Sequence, residues 1–323
     1  MTAYRYIFGP VPSRRFGRSL GVDLTPLKTC SFDCIFCQLG PTPRKTLERR
    51  EYVPTEAVRA ELVRWRDEGG HADYVTLSGS GEPTLHSHFG EVLQFAKQEL
   101  RLPAVLLTNG SLLFLPEVRE AACNADVAKL SLSAWDEASF RKINRPHPVL
   151  DFNRSVEGMR EFRRLFSGKI WLEVFLVAGL NDTPKDIDHI AALAELIAPD
   201  KIQLNTAVRP PAESSVRPVD RETMETLAAR FRPRAEVIAD FSVRPGSAVA
   251  VHETGILDML RRRPCTARQI ADVFGMHLNE VAKYTGHLLR ENRIHALPRG
   301  GEIYYEASRA GNPAAIESEN KSS

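Results

Sequence analysis

An α/β fold with a mostly parallel sheet is predicted by three observations. Apolar, strand-like runs recur at residues 19–24, 74–77, 104–107, 127–132, 170–177 and 202–204. Helix-period stretches separate them, and a polar loop follows each run. Crossovers of this length imply parallel pairing. Six such units in order predict a partial (β/α)6 TIM-type barrel, with a doubly wound sheet as the competing arrangement.

Each element has its own signal. SLGVDL alternates weakly and runs into Thr25-Pro26, which predicts a short strand ending in a loop. In VPTEAVRAELVRWRDEGG the apolar residues Val58, Leu62, Val63 and Trp65 follow Thr55, expected to cap the helix beside Glu56, and Gly69-Gly70 close it. TLSGSGEPTLH follows the second strand, TNGS the third, AGLNDT the fifth and NTAVRPP the sixth, while SLSAWD closes the fourth. In parallel α/β folds the C-terminal strand edge is where sites are assembled. Gly79, Gly81, Gly110 and Gly179 lie in these loops, either in tight turns or where backbone approaches a ligand.

Composition narrows the class. The chain has 323 residues, 43% of them hydrophobic, enough for one large α/β domain and a small appendage. A net charge of +2 excludes a general nucleic-acid glue or an acidic disordered chain, although residues 1–50 hold nine Lys and Arg against three Asp and Glu. No apolar run approaches the roughly 20 residues of a membrane helix. The start lacks a signal-peptide core, so a soluble cytoplasmic protein without membrane partners is expected. Five cysteines, three of them clustered, suit a reducing compartment.

The cluster is CSFDCIFCQLG, with Cys30, Cys34 and Cys37 spaced CxxxCxxC. It hangs from the C-terminal end of the first predicted strand. Three thiolates are one short of a closed structural zinc site, whereas a cubane iron–sulfur cluster held by three cysteines keeps one iron free for an external ligand. Cys123 and Cys265 are expected to be small packing residues.

With Phe36 immediately before the last cysteine, this run resembles the signature of the radical S-adenosylmethionine (radical SAM) superfamily. The resemblance covers roughly residues 14–210. It implies an enzyme, an oxidoreductase in the broad sense, in which Cys30, Cys34 and Cys37 hold three irons of a 4Fe-4S cluster. S-adenosylmethionine then chelates the fourth iron and is cleaved reductively to a 5′-deoxyadenosyl radical. It also implies cofactor contacts. Gly81, Glu82 and Pro83 resemble the segment that binds the methionine amino group; Thr108, Asn109, Ser131 and Ser133 resemble the ribose-side contacts; Phe36 would pack near the adenine. Asn181, in the AGLNDT loop, is a further candidate. An electron donor of flavodoxin or ferredoxin type is the implied partner. The opening GPVPSRRFGRSLGVDLTPLKTC and SGEPTLH resemble an uncharacterised group related to wyosine-forming tRNA enzymes and, more distantly, molybdopterin-precursor synthases. The additional cysteines of the wyosine enzymes' second cluster are not carried here.

Four parts are expected: residues 1–245 as the barrel, 246–252 as a linker, 253–306 as a winged helix-turn-helix, and a disordered tail 307–323. The module is read from apolar faces at Ile256, Leu257 and Leu260, at Ile270, Ala271 and Phe274, and at Val281, Tyr284, Leu288 and Leu289. A hairpin around Arg299-Gly300-Gly301 follows. Its third helix would expose Asn279, Lys283 and His287, with Arg261 to Arg263 and Arg299 near a backbone, so RNA, DNA or peptide is a candidate partner. Eight Lys and Arg against seven Asp and Glu in residues 253–306 advertise no large phosphate footprint. Substrate hints reside in Arg14, Arg15, Arg18, Arg44, Lys45, Arg49, Arg50 and Arg209; His86 and His88 are loop histidines first and acid–base candidates second. An iron–sulfur redox-sensing DNA-binding regulator is the alternative function.

Overall fold

The computed structural model describes residues 4–13, 17–208, 211–213 and 215–239, and in the C-terminal part 253, 255–257, 259–260, 264–274, 276, 278–299 and 302–308. Arg14, Arg15, Arg209, Arg261 to Arg263, the predicted linker and most of the predicted tail lie outside them, as do the side chains of Lys283 and Arg299. The chain divides into two compact units, Met1–Ser242 and Val243–Ser323.

In the first unit eight strands form one sheet in sequence order: β1 (Ile7–Ser13), β2 (Gly17–Val22), β3 (Tyr74–Leu77), β4 (Ala104–Thr108), β5 (Val127–Ser131), β6 (Lys169–Leu176), β7 (Lys201–Thr206) and β8 (Glu236–Val237). β1 pairs antiparallel with β2 and every later pair is parallel. The six predicted strands are β2 to β7. β1 and the two-residue β8 were not legible. β1 carries two prolines and β8 is too short to show a period.

Helices α1 (Thr55–Asp67), α2 (Phe89–Gln98), α3 (Pro116–Ala122), α4 (Glu137–Ile143), α5 (Phe152–Leu165), α6 (Pro184–Ile197) and α7 (Arg221–Ala228) fill the crossovers. Alternation along the strands sends Val75, Leu77, Leu106, Ala128, Leu130, Leu172 and Leu204 into one core with Val58, Leu62, Val92, Phe162 and Ile190 of the helices. The helix-bearing face is therefore continuous hydrocarbon. The opposite face carries the alternate residues and is far more polar.

The cap expected of Thr55 is corrected. Thr55 is the first residue of α1 with Pro54 at the cap position, and its backbone N–H donates to Glu51 Oε1 at 2.7 Å. The carboxylate four residues upstream satisfies one of the N–H groups that the first turn of a helix leaves without intrahelical partners.

In the second unit, residues 253, 255–257 and 259–260 are helical. The helices Ala267–Phe274 and Leu278–Arg290 follow. β9 (Cys265–Thr266), β10 (Ile294–Arg299) and β11 (Glu302–Ala307) form an antiparallel sheet in the order β10-β11-β9. Ile256, Leu260, Ile270, Val281 and Leu288 are fully buried, as is Cys265. Among the described residues no helix is long and apolar enough to cross a membrane.

Candidate functional site

The cysteine loop leaves the C-terminal end of β2 and is fastened on two sides. On one side Lys28 N donates to Ser80 O at 2.6 Å and Glu82 N to Thr29 O at 2.9 Å, tying it to the loop after β3. On the other, Asp33 N donates to Asn144 O at 3.1 Å and Ile35 N to Ile143 O at 3.1 Å, using carbonyls that the end of α4 leaves without helical partners. Gly81 makes the first fastening possible. A Cβ there would lie 1.9 Å from Thr29 O, so only glycine lets the two backbones meet.

Each cysteine sulfur faces a nitrogen donor. Lys28 Nζ lies 3.1 Å from Cys37 Sγ, Asn109 Nδ2 3.6 Å from Cys30 Sγ, and Asn144 Nδ2 3.5 Å from Cys34 Sγ. The Phe32 backbone N–H also reaches Cys30 Sγ, at 3.5 Å. Burial pushes the Cys30 thiol up to about 12, with the nearby Glu82 adding to it, and burial likewise raises the Cys34 thiol. Burial alone would lower the Lys28 ammonium; the charges of Cys37, Cys30 and Cys34 outweigh it and raise it. A buried lysine among three half-buried cysteines is an arrangement for holding negative sulfur.

The spacing of the sulfurs bears on a single-ion site. Among the described residues, the trio of Cys, His, Asp or Glu ligand atoms that lies within 4.8 Å is Glu253, His287 and Glu291, not the cysteines. A single tetrahedral zinc with bonds of about 2.3 Å would bring its sulfurs to about 3.8 Å. The three cysteine sulfurs are not all that close to one another, as a single-ion site would require. The acidic trio is tied internally instead: Arg293 Nη1 lies 2.6 Å from Glu253 and 3.1 Å from Glu291.

Glu82 organises the neighbouring loops. Oε1 accepts from Thr84 N at 3.1 Å, Thr84 Oγ1 at 2.6 Å and Thr108 Oγ1 at 2.6 Å, while Oε2 accepts from Asn109 N at 2.8 Å. Burial raises its pKa against these four hydrogen bonds. The carboxylate thus joins the GEP and TNG segments, and the Asn109 amide reaches Ser31 Oγ and Cys30 Sγ from that junction. Pro83 opens a 3-10 turn directly after it.

Ser131, Ser133 and Asn109 line one narrow cavity with Phe32, Asn144 and Met159. Phe36 stacks on Phe175 of β6, ring centroids 4.2 Å apart and 10° from parallel. Asn181 is corrected. Its amide donates to Ser133 O at 2.8 Å and Phe175 O at 2.9 Å, and its oxygen accepts from Val177 N at 2.7 Å, so a fully buried side chain spends its capacity on tying loops.

The basic candidates divide. Arg18 sits at the N-terminal end of β2, away from the cysteine loop, and pairs with Asp73 at 3.3 Å. Arg49 anchors the loop after β3 through Thr84 O and Ser87 O. Arg50 lies over the Tyr52 ring. Arg44 is exposed and Lys45 half-buried. His86 is buried, its Nε2 2.8 Å from Val53 O and its Nδ1 accepting from His88 N at 3.2 Å; burial lowers its pKa. His88 meets Glu91 at 2.6 Å. Both are structural. His287 is also taken, by Glu253 at 3.0 Å, and does not stand free on the helix surface. Lys28, Asn144 and Phe175 were missed in the sequence. Lys28 stands two residues before Cys30, while Asn144 and Phe175 are remote and carry no local signal.

A parallel sheet in sequence order, a three-cysteine loop at its C-terminal edge and loops converging on it define a radical SAM fold. The sequence profile of the radical SAM superfamily matches residues 24–194, and the chain belongs to that superfamily, whose enzymes use a 4Fe-4S cluster and S-adenosylmethionine. Within it the chain belongs to the UPF0026 family. It is 35% identical over 228 residues to the UPF0026 protein of Methanocaldococcus jannaschii, covering 69% of this chain and 70% of that protein. A Brachyspira hyodysenteriae protein named GTPase Obg is 33% identical over 303 residues, 93% of this chain; the chain spans 45% of that longer protein. A radical SAM methyltransferase from Sphaerobacter thermophilus has a similar fold, with a TM-score of 0.54 at 17% identity over 69% of this chain and 67% of that one.

Proposed function

We propose that this chain generates a 5′-deoxyadenosyl radical and uses it on a polar substrate, with Cys30, Cys34 and Cys37 as the cluster ligands. The observation that carries this is the nitrogen donor aimed at each of the three half-buried cysteine sulfurs. When bound, the cluster and S-adenosylmethionine supply the electron and the sulfonium whose cleavage yields methionine and the radical. The chain's residues position and enclose. Lys28, Asn109 and Asn144 stabilise negative sulfur; Glu82 fixes the two loops beside it; Phe36, braced by Phe175, offers an aromatic face next to Cys37. Gly81, Pro83, Thr108, Ser131 and Ser133 shape the cradle for S-adenosylmethionine.

The test is anaerobic reconstitution followed by reduction. Iron and sulfide are quantified, and 5′-deoxyadenosine is measured by chromatography. Release of 5′-deoxyadenosine from wild type and its loss with the cluster signal in Cys34→Ala are expected; full cluster loading without any cleavage overturns the proposal.

Two finer readings belong to it. The second unit is a winged helix-turn-helix that docks the substrate, supported by its helix order and its β10-β11-β9 sheet. A kinship to the wyosine-forming and molybdopterin-precursor enzymes fits the single cysteine trio only if the chemistry needs one cluster. A salt-dependent RNA mobility shift, lost on removing residues 253–323, would support docking; a shift that survives that removal refutes it.

A further inference from the structure

The face of the sheet opposite the helices carries a buried polar patch that the cluster does not use. Pairing in register places Ser131 beside Glu173 and Glu173 beside Gln203, with Phe175 beside Asn205 one step nearer the C-terminal edge. Lys129 Nζ meets Glu173 Oε2 at 2.8 Å, their side chains 3% and 19% exposed. Asn205 Nδ2 donates to Glu173 Oε1 at 2.9 Å. Gln203 is 1% exposed, and its Oε1 is buried without a hydrogen-bond partner.

Barrel interiors are ordinarily filled by branched aliphatic side chains, and a buried ion pair is weak support for stability. An unsatisfied buried amide oxygen adds a cost of its own. The patch is also close to the cysteine loop. Glu173 lies two residues before Phe175 on the same face of β6, about 6.6 Å along the strand, and Phe175 stacks on Phe36 beside Cys37.

We propose that Gln203, with the Lys129–Glu173 pair and Asn205, forms the recognition site for the substrate of the proposed radical reaction, and that the group it takes is neutral and presents an amide-type N–H. Gln203 Oε1 needs a donor. The adjacent ion pair and its Asn205 contact already balance charge, so a net charge on the ligand would leave one charge buried and uncompensated. An N–H beside a carbonyl, as in a nucleobase edge or a peptide amide, meets both conditions. This rests on the radical SAM assignment for the chemistry but not for the binding.

The test is saturation-transfer NMR of the anaerobic, cluster-loaded full chain with uridine and, separately, N-acetylglycinamide. At least one probe should bind wild type, and Gln203→Met should weaken it roughly tenfold or more. Glu173→Gln, which keeps the shape of the patch, should weaken the same probe and serves if Gln203→Met does not fold. Uridine alone points to a nucleobase source and N-acetylglycinamide alone to a peptide source; binding of both supports the shared edge. No binding of either, or equal binding in wild type and both variants, overturns the site. Substrate-free release of 5′-deoxyadenosine is measured in wild type alongside. Its absence in wild type while a probe still binds would sink the radical assignment and leave the site standing.

Discussion

Lys28 is a lysine 7% exposed, at a left-handed φ of 63°, with its ammonium against Cys37 Sγ. A full positive charge next to sulfur favours the more negative, reduced state of a cluster held there. Lys28→Met should therefore retain iron while its midpoint potential, followed by redox titration with electron paramagnetic resonance, moves to a more negative value. An unchanged potential would show the ammonium to be merely a packing element. Gly81 predicts differently. Because an added Cβ would meet Thr29 O, Gly81→Ala should lower stability by about 1–3 kcal/mol in chemical denaturation and loosen the cysteine loop. His86 predicts a pH dependence. Burial lowers its folded pKa, so the unfolded chain binds the extra proton. Its contribution is intact above the unfolded value of about 6.5 and is lost as pH falls from there through the folded value. Urea midpoints measured from about pH 7.5 down to about pH 5 should fall less steeply in His86→Asn than in wild type.

At the scale of elements, α1 is held by Glu51 and not by its first threonine. Glu51→Ala should lower the melting temperature of the chain, whereas Thr55→Ser should leave it nearly unchanged; the reverse order would restore the threonine cap. The parallel strands β2 to β7 were legible because each is an apolar run closed by a polar loop, and a run buried among helices has little room for polar residues. The same logic exposed Cys30, Cys34, Cys37, Glu82 and Asn109, which lie in those loops. It could not expose Asn144 or Phe175. Their partners are 110 and 139 positions away in the chain, at Cys34 and Phe36, and only the folding of the sheet brings them there. Nor could it separate Asn181 from a ligand contact, because an asparagine in a polar loop looks the same whether it bonds to backbone or to a cofactor. The Lys129–Glu173 pair was hidden for a similar reason: within apolar strands a lone charge reads as a strand-end residue until register places its partner alongside.

For the whole molecule, the described residues that converge on the cysteine sulfurs belong to the unit Met1–Ser242. A chain ending at residue 242 should load iron to the same stoichiometry per chain as the full length, checked by colorimetric iron and sulfide assay. A marked deficit would mean that the second unit takes part in holding the loop. The hydrogen bonds that fasten the cysteine loop to Ser80, Thr29, Ile143 and Asn144 carry a consequence for assembly. In zinc fingers the ligand loops order only when metal arrives, so metal binding and folding are one event. Here the socket is cast with the sheet itself. Maturation is accordingly a delivery step into a finished mould, and a chain stripped of iron by a chelator should keep its fold and refill without passing through an unfolded state.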